Sequence, residues 1–480
     1  MSSWSCADIA LISGRLAGGG VAASARYAAG RRDVRSVLGV LACMRAAREE
    51  LKFGGGMSNV VLGFALLAVV FTVTALASGI VARAPLSFPM IFLGLGLLPG
   101  PGGLHAIDID VHSPVLEVVA IVSLTLVLFL DAVNMQVAEI RRDWLVSFLA
   151  LVPGTMLTIG GIAIAALLVL GVTPLQACLL GAILASTDPV VLRDVISNVH
   201  IPRSIRQALG VEAGMNDIVV LPVVLILIAL IDGHIGGAQD WLRLAARLLL
   251  LSPLVGLLIG VVGARLIGSA DARFSISRSY QAMYGIGLVL LAYAAGEVVR
   301  GDGFIATFFA GFAVTISNGK LCSCFLEYGE TTAEMAMLLT FILFGAVLSG
   351  LFASAPLMLA LGFAVIVIVL VRPLALGLVL QRAKMGMASR LFIGWFGPRG
   401  LTSLLLVLLA VQAGIPGATY LLTITGVVVL VSVVAHGVTA TPVSAWYVRY
   451  TAKASAALAA TRTSYLEELL ASDVRDVSQT

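Results

Sequence analysis

Long apolar runs alternate with short polar stretches along most of the chain. About thirteen of these runs are close to the roughly 20 residues that a helix needs to cross the hydrocarbon core of a bilayer. Approximately, they occupy 59–81, 86–100, 115–133, 145–170, 176–193, 205–231, 242–267, 279–299, 302–317, 333–351, 356–381, 390–413 and 419–447. The pattern predicts an all-α polytopic membrane protein with about thirteen transmembrane helices.

Composition agrees with this prediction and excludes other classes. Of 480 residues, 60% are hydrophobic and 12% are charged, whereas about 25% are charged in an ordinary soluble protein. The net charge of +4 comes from residues 1–56, which hold eight basic and four acidic positions. The rest of the chain is balanced, so no basic surface indicates a nucleic-acid partner, and we expect membrane lipid instead. Five scattered cysteines are expected to be free thiols: Cys6, Cys43, Cys178, Cys322 and Cys324.

The two ends of the chain contain no spanning run. Residues 1–56 are predicted to be either a disordered leader or sequence upstream of a true start at Met57, and N-terminal sequencing would distinguish these alternatives. Residues 448–480 are predicted to be a short cytoplasmic tail. Within this tail, Leu466, Leu469 and Leu470 fit one face of a short surface helix. The predicted transmembrane domain is therefore 57–447.

Loop charges predict the orientation of the helices. Basic residues fall in every second loop, which the positive-inside rule assigns to the cytoplasm. These residues are Arg83, Arg141, Arg142, Arg193, Arg203, Arg206, Arg265, Arg273, Arg278, Lys320, Arg382, Lys384 and Arg390. With an odd number of helices, the transmembrane domain begins outside the cell and ends in the cytoplasm.

A few charged residues remain inside the apolar runs. A charge at mid-bilayer costs at least about 3 kcal/mol, so a buried ionisable group is a functional-site hypothesis unless it is a structural ion pair. The group comprises Asp131, Asp188, Glu212, Asp217, Arg372 and Arg399, with Glu297 and Asp302 near helix ends.

The first cluster lies in the segment ASTDPVV, where Pro189 follows Ser186, Thr187 and Asp188. Proline lacks a backbone donor and disfavours helix at the preceding residue. The helix is therefore predicted to unwind near Thr187 and Asp188, where freed carbonyls could coordinate a cation. The alternative is a simple proline kink.

The next apolar run carries Glu212, Asn216 and Asp217. Glu212 and Asn216 are four residues apart and share one helix face. An Asn-Asp pair at this depth, beside small residues that leave room for an ion and its water, indicates a transport path. The small residues are Gly210, Ala213 and Gly214.

A second interruption lies in FGPRGLTS at 396–403, where Gly397, Pro398 and Gly400 surround Arg399. Two broken helices at corresponding places in two halves of a chain are typical of an inverted-repeat transporter with its site between them. A buried arginine needs a carboxylate partner. We predict that Arg399 pairs with Glu212.

Together these segments resemble the monovalent cation/proton antiporter superfamily, in its sodium/proton exchanger branch of the bacterial NhaP type. The resemblance runs from about Met57 to Tyr447 and rests on STDPVV, EAGMND, GWFGPRGLTS and SVVAHGVTATP. It implies a thirteen-helix inverted-repeat fold, a six-helix core with two crossed, unwound helices, and a separate dimerisation domain. A homodimer in the bacterial plasma membrane is the corresponding expectation.

The resemblance also implies roles for individual residues. Asp217 would be the carboxylate that holds either cation or proton, and Asn216 in place of a second Asp resembles the electroneutral branch. Thr187 and Asp188 would join Asp217 in holding the transported cation, and Asp131 would lie on the cytoplasmic access route. The remaining implied roles are structural: the Glu212–Arg399 ion pair, a core arginine at Arg372, and Pro189 and Pro398 in the breaks.

The sequence departs from the family pattern at two positions. Ala213 stands where a serine is usual, which removes one hydroxyl ligand, and Ile218 stands where a glycine is usual. Both departures bear on ion affinity and selectivity.

Electrostatics predicts how such a site would couple two ions. An unpaired Asp217 anion is costly to move through the membrane, whereas its protonated and cation-bound forms are nearly neutral. Cation and proton then compete for one carboxylate, and only the loaded carrier crosses. Exchange of sodium, lithium or potassium for protons follows, with no cofactor.

Several alternatives stay open from the sequence alone. Within transport, the protein could be potassium-selective or electrogenic, although Asn216 argues against the electrogenic case. From another class, it could be an intramembrane enzyme or a receptor, but no His-Glu-x-x-His or Gly-x-Ser-x-Gly motif is present. His436, near the end of the last run, is either a pH sensor or a packing residue.

Overall fold

A computed structural model of the chain describes residues 87–103, 109–135, 144–233, 237–317, 319–352, 356–383 and 385–477, together with the isolated positions 68, 72, 73 and 76. The helices discussed below all belong to the unit Val70–Thr480.

Regular structure in these ranges is helical throughout. We label the helices α1 Phe88–Leu97, α2 Pro114–Asn134, α3 Trp144–Leu170, α4 Pro174–Ala185, α5 Pro189–Ser197, α6 Arg203–Ile231, α7 Ala238–Phe274, α8 Arg278–Val298, α9 Gly303–Ser317, α10 Gly319–Phe352, α11 Leu357–Ala383, α12 Met387–Trp395, α13 Leu401–Gln412 and α14 Ala418–Val477.

The described helices confirm the predicted fold class. Within the described ranges, 8 helices are long and apolar enough to cross a membrane: α2, α3, α6, α7, α8, the part of α10 from Tyr328, α11 and α14 to Lys453. Every predicted run from 86–100 onward coincides with a helix or with a helix pair around a break. The run 59–81 falls almost wholly outside the described residues, so the total of about thirteen stays a prediction.

The predicted ends of the chain have different outcomes. The leader 1–56, and with it the proposed start at Met57, lies outside the described residues. The tail 448–480 begins inside α14, because that helix continues without a break to Val477.

Small residues let several helices approach closely, as is common in membranes where apolar side chains gain little from avoiding lipid. On α7, a Cβ added at Gly256 or Gly260 would collide with backbone carbonyls of α9, at Ala306 and Ala310 respectively. On α1, Gly96 meets the backbone of α10 in the same way. Glycine is required at these contacts because any side chain would separate the helices.

Among the described residues, two clusters of buried apolar side chains each join a different group of helices. One combines residues of α3, α5, α6, α11, α12 and α14, and includes Phe396 just after α12. The other combines residues of α2, α7, α8, α9 and α10. Van der Waals contact within each cluster holds its own group of helices together, since lipid tails are as apolar as these side chains.

Both predicted helix breaks are present. The first lies between Ala185, where α4 ends, and Pro189, where α5 begins, and the second lies between Trp395 and Leu401. Pro189 occupies the first turn of α5, where its missing N–H costs nothing. The Asp188 backbone amide donates to the Pro398 carbonyl at 2.9 Å, so the two unwound segments touch where the helices cross.

Candidate functional site

Asp217 lies on α6 opposite both helix breaks. Its side chain is 4% exposed. The Ser186 hydroxyl, in the first break, donates to its Oδ1 at 2.7 Å. The Thr402 hydroxyl, in the first turn of α13, also interacts with this carboxylate. Asp217 is therefore held by one hydroxyl from each of the two broken helices.

Asn216 connects α6 to the first break through its amide. Its Nδ2 donates to the Ala185 carbonyl at 3.1 Å and to the Thr187 hydroxyl at 3.2 Å. The Asn216 side chain is fully buried, yet its Oδ1 has no hydrogen-bond partner among the described residues. A buried acceptor without a partner is costly, which is typical of a position that a ligand or a water completes.

Asp188 caps two half-helices at once. Its Oδ1 accepts from the Val190 amide at 2.9 Å, at the start of α5. Its Oδ2 accepts from the Leu401 amide at 3.1 Å, at the start of α13. Helix N-termini carry unsatisfied N–H groups and partial positive charge, so one carboxylate stabilises both.

Arg399 occupies a different position from the predicted one. Its Nη1 donates to the carbonyls of Ala185 and Ser186 at 3.0 and 3.1 Å, where α4 ends. It does not pair with Glu212, and its Nη2 has no hydrogen-bond partner among the described residues. The last carbonyls of a helix carry partial negative charge, so α4 itself supplies the electrostatic partner that we expected from a carboxylate.

Glu212 pairs with Arg372 instead, which corrects the predicted Glu212–Arg399 pair. Arg372 Nη1 and Nη2 lie 2.8 and 2.9 Å from the two Glu212 carboxylate oxygens. The fork geometry of guanidinium favours such bidentate contacts. Arg372 Nη2 also donates to the Phe396 carbonyl at 3.1 Å. The structural role predicted for Arg372 is thus an ion pair that supports the second break.

A cavity of about 570 Å³ approaches the site from one side, between α2, α5, α6 and α10. Asp131 lines it, as do Gly210 and Gly214 on the face of α6. A Cβ built at Gly214 would meet nothing within 4 Å, so the small residues do leave open space. At the mouth, Arg193 of α5 and Glu330 of α10 form an ion pair of 2.5 Å with side chains 53% and 40% exposed.

Two other acids, buried Asp302 and exposed Glu297, serve as helix caps. Asp302 Oδ1 accepts from the Ile305 amide at 2.8 Å at the start of α9. Glu297 Oε1 accepts from the Gly303 amide at 2.9 Å. Both acids are therefore explained by capping.

Two contacts of Asp217 went unrecognised in the sequence. Ser186 was noted only as part of a break, and Thr402 was not singled out. A serine or threonine in an apolar helix often bonds to its own backbone, so the residue type alone gives no signal. The position of Thr402 directly after the second break was the available indication.

The chemistry of the site is that of oxygen ligands. No group of three or more His, Cys, Asp or Glu side chains suited to a metal ion occurs in the described part of the chain. Cys178 has a free thiol, as predicted. Carboxylate, amide and hydroxyl oxygens of Asp217, Asn216 and Thr187 are instead suited to a hard cation.

Comparison with known families decides the class of this site. The family described as "Sodium/hydrogen exchanger, transmembrane" matches residues 47–446, which include every residue of the site. The chain belongs to the sodium/hydrogen exchanger family. This membership confirms the resemblance inferred from the sequence, and it makes this exchanger a multi-pass membrane protein.

Individual relatives agree with the family. The K(+)/H(+) antiporter NhaP of Alkalimonas amylolytica is 26% identical over 399 residues, covering 81% of this chain and 67% of the relative. The K(+)/H(+) antiporter NhaP2 of Shewanella oneidensis is 26% identical, covering 79% and 66%. This exchanger thus spans about two thirds of the length of these relatives.

A solved structure supports the fold. The sodium proton antiporter MjNhaP1 from Methanocaldococcus jannaschii superposes with a TM-score of 0.69 at 19% identity, covering 81% of this chain and 99% of that one. The likeness confirms the predicted antiporter fold with its two crossed, unwound helices.

Proposed function

We propose that the protein exchanges a monovalent cation for protons, with both ions competing for the carboxylate of Asp217. The observation that carries this proposal is a buried Asp217 that accepts a hydrogen bond from the Ser186 hydroxyl and has no cationic partner among the described residues. An isolated buried carboxylate is costly as an anion, so it favours a bound proton or a bound cation.

The cost of the buried Asp217 anion couples the movement of the site to ion binding. With Asp217 empty, the site carries an uncompensated charge into a region of low dielectric, and its movement is opposed. With a proton or a cation bound, the site is nearly neutral and can move. Coupling then needs no contact between the two ions, because each loaded form carries one ion across.

Oxygen atoms around Asp217 supply the proposed cation ligands. These atoms are the unpartnered Oδ1 of Asn216, the neighbour of Asp217 in the chain, and the Thr187 hydroxyl bonded to the Asn216 amide, while Asp188 completes the first break. Asp131, on the wall of the cavity, is the proposed acid on the cytoplasmic access route. Its negative charge would attract cations entering the cavity.

Sodium or lithium is the first proposed cation, and potassium is a second candidate with its own support. Ala213 lacks the hydroxyl that the family pattern usually has at this place. Fewer and weaker oxygen ligands favour a cation that sheds its water easily, which potassium does more readily than sodium. The printed names of the relatives from Alkalimonas and Shewanella also favour potassium.

The proposed stoichiometry is one cation for one proton, since Asn216 occupies the place of a second acid. The proposed setting is the plasma membrane of a bacterium, with the C-terminus in the cytoplasm and two copies forming a homodimer.

Everted membrane vesicles test the proposal. With an acidified lumen, addition of sodium, lithium or potassium should release protons from vesicles that contain the parent protein. Asp217→Asn should abolish this release for every cation, because the neutral amide cannot exchange one ion for another. Asp302→Asn is the matched control: it alters a buried acid that caps α9, and asparagine is an equally good cap, so exchange should continue.

Two results would contradict the mechanism. One is normal exchange by Asp217→Asn, and the other is absence of exchange by the parent with all three cations. Counting protons released per cation taken up then tests the stoichiometry, for which a ratio of one is expected. The order of activity among the three cations decides between sodium and potassium.

A further inference from the structure

His436 is a buried polar residue that the proposed exchange does not use. It lies on α14 and is 1% exposed. Its Nε2 lies 2.9 Å from the carbonyl of Trp395, the last residue of α12. Its Nδ1 lies 3.2 Å from the Ser432 hydroxyl, one turn earlier on α14, and 2.8 Å from the Ser432 carbonyl.

The same serine reaches the other end of the second break. The Arg399 backbone amide donates to Ser432 Oγ at 2.7 Å. One turn of α14 therefore contacts the chain both where α12 ends and just before α13 begins. The residues between these two contacts, 396–398, are three of the five residues of the unwound segment.

The neutral form of the ring with its hydrogen on Nε2 is the one that links both ends of the second break through hydrogen bonds. The Arg372 guanidinium binds the Phe396 carbonyl of this segment, and Arg399 belongs to the segment, so a third buried cation would be repelled. A neutral imidazole has one N–H. With that hydrogen on Nε2, the ring donates to the Trp395 carbonyl, and Nδ1 accepts from the Ser432 hydroxyl. The Ser432 hydroxyl oxygen also accepts from the Arg399 amide, whereas the Ser432 carbonyl, 2.8 Å from Nδ1, receives no hydrogen from the ring in this form.

We propose that Ser432 and His436 form a clamp that fixes the second helix break, which makes His436 a positioning residue for ion binding. The clamp touches no transported ion. It acts through the unwound segment, which ends at Gly400. The next two residues begin α13: the Leu401 amide donates to Asp188, and Thr402 interacts with Asp217. The inference deepens the proposed function and rests on it.

Loosening the clamp should weaken cation binding without stopping the movement of the loaded site across the membrane. If the Trp395 carbonyl and the Arg399 amide lose their partners, the start of α13 shifts relative to Asp188 and Asp217. His436→Leu should raise the apparent KM for the cation by about five- to tenfold, the equivalent of one hydrogen bond. The maximal rate per folded molecule should change by less than about twofold, because Asp217 and its neutral loaded forms remain.

Two further variants separate positioning from mere packing. His436→Gln should keep a KM near that of the parent, because a glutamine amide can donate to the Trp395 carbonyl while its oxygen accepts from Ser432. Ser432→Ala removes the other half of the clamp with little change of volume, and should raise KM as His436→Leu does. Ser432→Ala also keeps the test decisive if His436→Leu fails to fold.

Thr439 provides a matched control on the next turn of α14. It accepts from the Trp395 indole Nε1 at 3.1 Å, and so holds the same residue by its side chain instead of its carbonyl. Thr439→Val should leave KM unchanged. An equal rise of KM in Thr439→Val, an unchanged KM in Ser432→Ala, or a His436→Gln variant as impaired as His436→Leu would each overturn the clamp.

A binding measurement separates this inference from the proposed exchange. Cations that bind the folded protein raise its thermal unfolding temperature in proportion to their affinity. The concentration of sodium or potassium chloride that gives half the stabilisation should rise for His436→Leu and Ser432→Ala, and should not rise for Thr439→Val. Choline chloride corrects for ionic strength. If the half-stabilising concentration rises in His436→Leu and Ser432→Ala but the parent protein shows no exchange, the proposed exchange is refuted and the clamp is supported.

Discussion

The two helix breaks cross at one point, but their chemistry differs. The first break is three residues long and directs its side chains toward α6. Ser186 bonds to Asp217, Thr187 bonds to Asn216, and Asp188 accepts backbone amides from both sides. Every residue of this break contributes a polar side chain to the site.

The second break is five residues long, and its contribution is mainly structural. Its Phe396 carbonyl is held by Arg372, and its Arg399 side chain binds the carbonyls at the end of α4. A Cβ at Gly397 would overlap the Arg372 guanidinium, and a Cβ at Gly400 would overlap the Asp188 carboxylate. The glycines are needed because other groups fill the space that side chains would occupy.

This difference indicates a division of labour. The first break presents ligands, whereas the second break supports the first and places α13 against it. We therefore expect substitutions that remove the buried ion pair or the close glycine contact of the second break to act mainly on stability, and substitutions in the first break to act mainly on cation affinity.

The largest effect is expected from the ion pair that supports the second break. Arg372→Leu leaves Glu212 as a buried, unpaired charge, which costs about 3–5 kcal/mol, whereas removing both charges of such a pair is often close to neutral. Thermal unfolding in detergent should therefore show a strongly destabilised Arg372→Leu variant and recovery in Arg372→Leu/Glu212→Leu. The double-mutant cycle measures the coupling free energy.

Arg399 supplies the control for this cycle. Arg399→Leu with Glu212→Leu should show a smaller coupling energy, because Arg399 binds helix carbonyls and makes no contact with that carboxylate. A coupling that is larger for Arg399 than for Arg372 would contradict the assigned pair and restore the one first predicted from the sequence.

A smaller effect is expected at Gly400. Alanine there would force the Asp188 carboxylate away from the amides that it caps, and overpacking of this kind costs about 1–3 kcal/mol. Gly377→Ala is the matched control, since a Cβ on that residue of α11 meets nothing within 4 Å. Unfolding temperatures should fall for Gly400→Ala and stay level or rise for Gly377→Ala. Equal tolerance of both changes would disprove the close approach of the breaks.

The smallest effect is expected from the hydroxyls on Asp217. Ser186→Ala and Thr402→Val should each raise the apparent cation KM by about five- to tenfold, since each removes one hydrogen bond or ligand, while stability changes little. Ala213→Ser adds a hydroxyl on α6 and should lower the KM. Proton release at graded cation concentrations measures all three. If Ser186→Ala destabilised the protein as much as Arg372→Leu, the division of labour between the breaks would be wrong.

Sequence reasoning predicted the helices and both breaks because their causes are local. Runs of apolar residues fix the spans, and Pro189 and Pro398 fix the interruptions through their missing N–H and restricted backbone. The continuous helix from 418 to 477 was not expected, since the change from apolar to polar composition after Tyr447 indicated the end of a span and carried no signal about the backbone.

The sequence identified the acidic residues of the site but not the correct partner of Glu212. Asp217, Asn216 and Asp188 could be selected because a buried charge in an apolar run is expensive. The partner of Glu212 could not be selected, because Arg372 and Arg399 are both buried arginines in apolar runs and only the crossing of α11 with α6 separates them. That crossing depends on contacts distant in sequence.

The buried charges at the crossing of the two breaks determine how the proposed transport responds to membrane voltage. In the proposed mechanism, Asp188 and Glu212 contribute two negative charges to the crossing, and Arg372 and Arg399 contribute two positive charges, so these four sum to zero. Asp217 alone then sets the net charge of whatever moves. Each elementary charge that crosses 100 mV gains or loses about 2.3 kcal/mol. With a proton or a cation on Asp217, the moving group carries no net charge, so the resting voltage of the cell should neither drive nor oppose its passage.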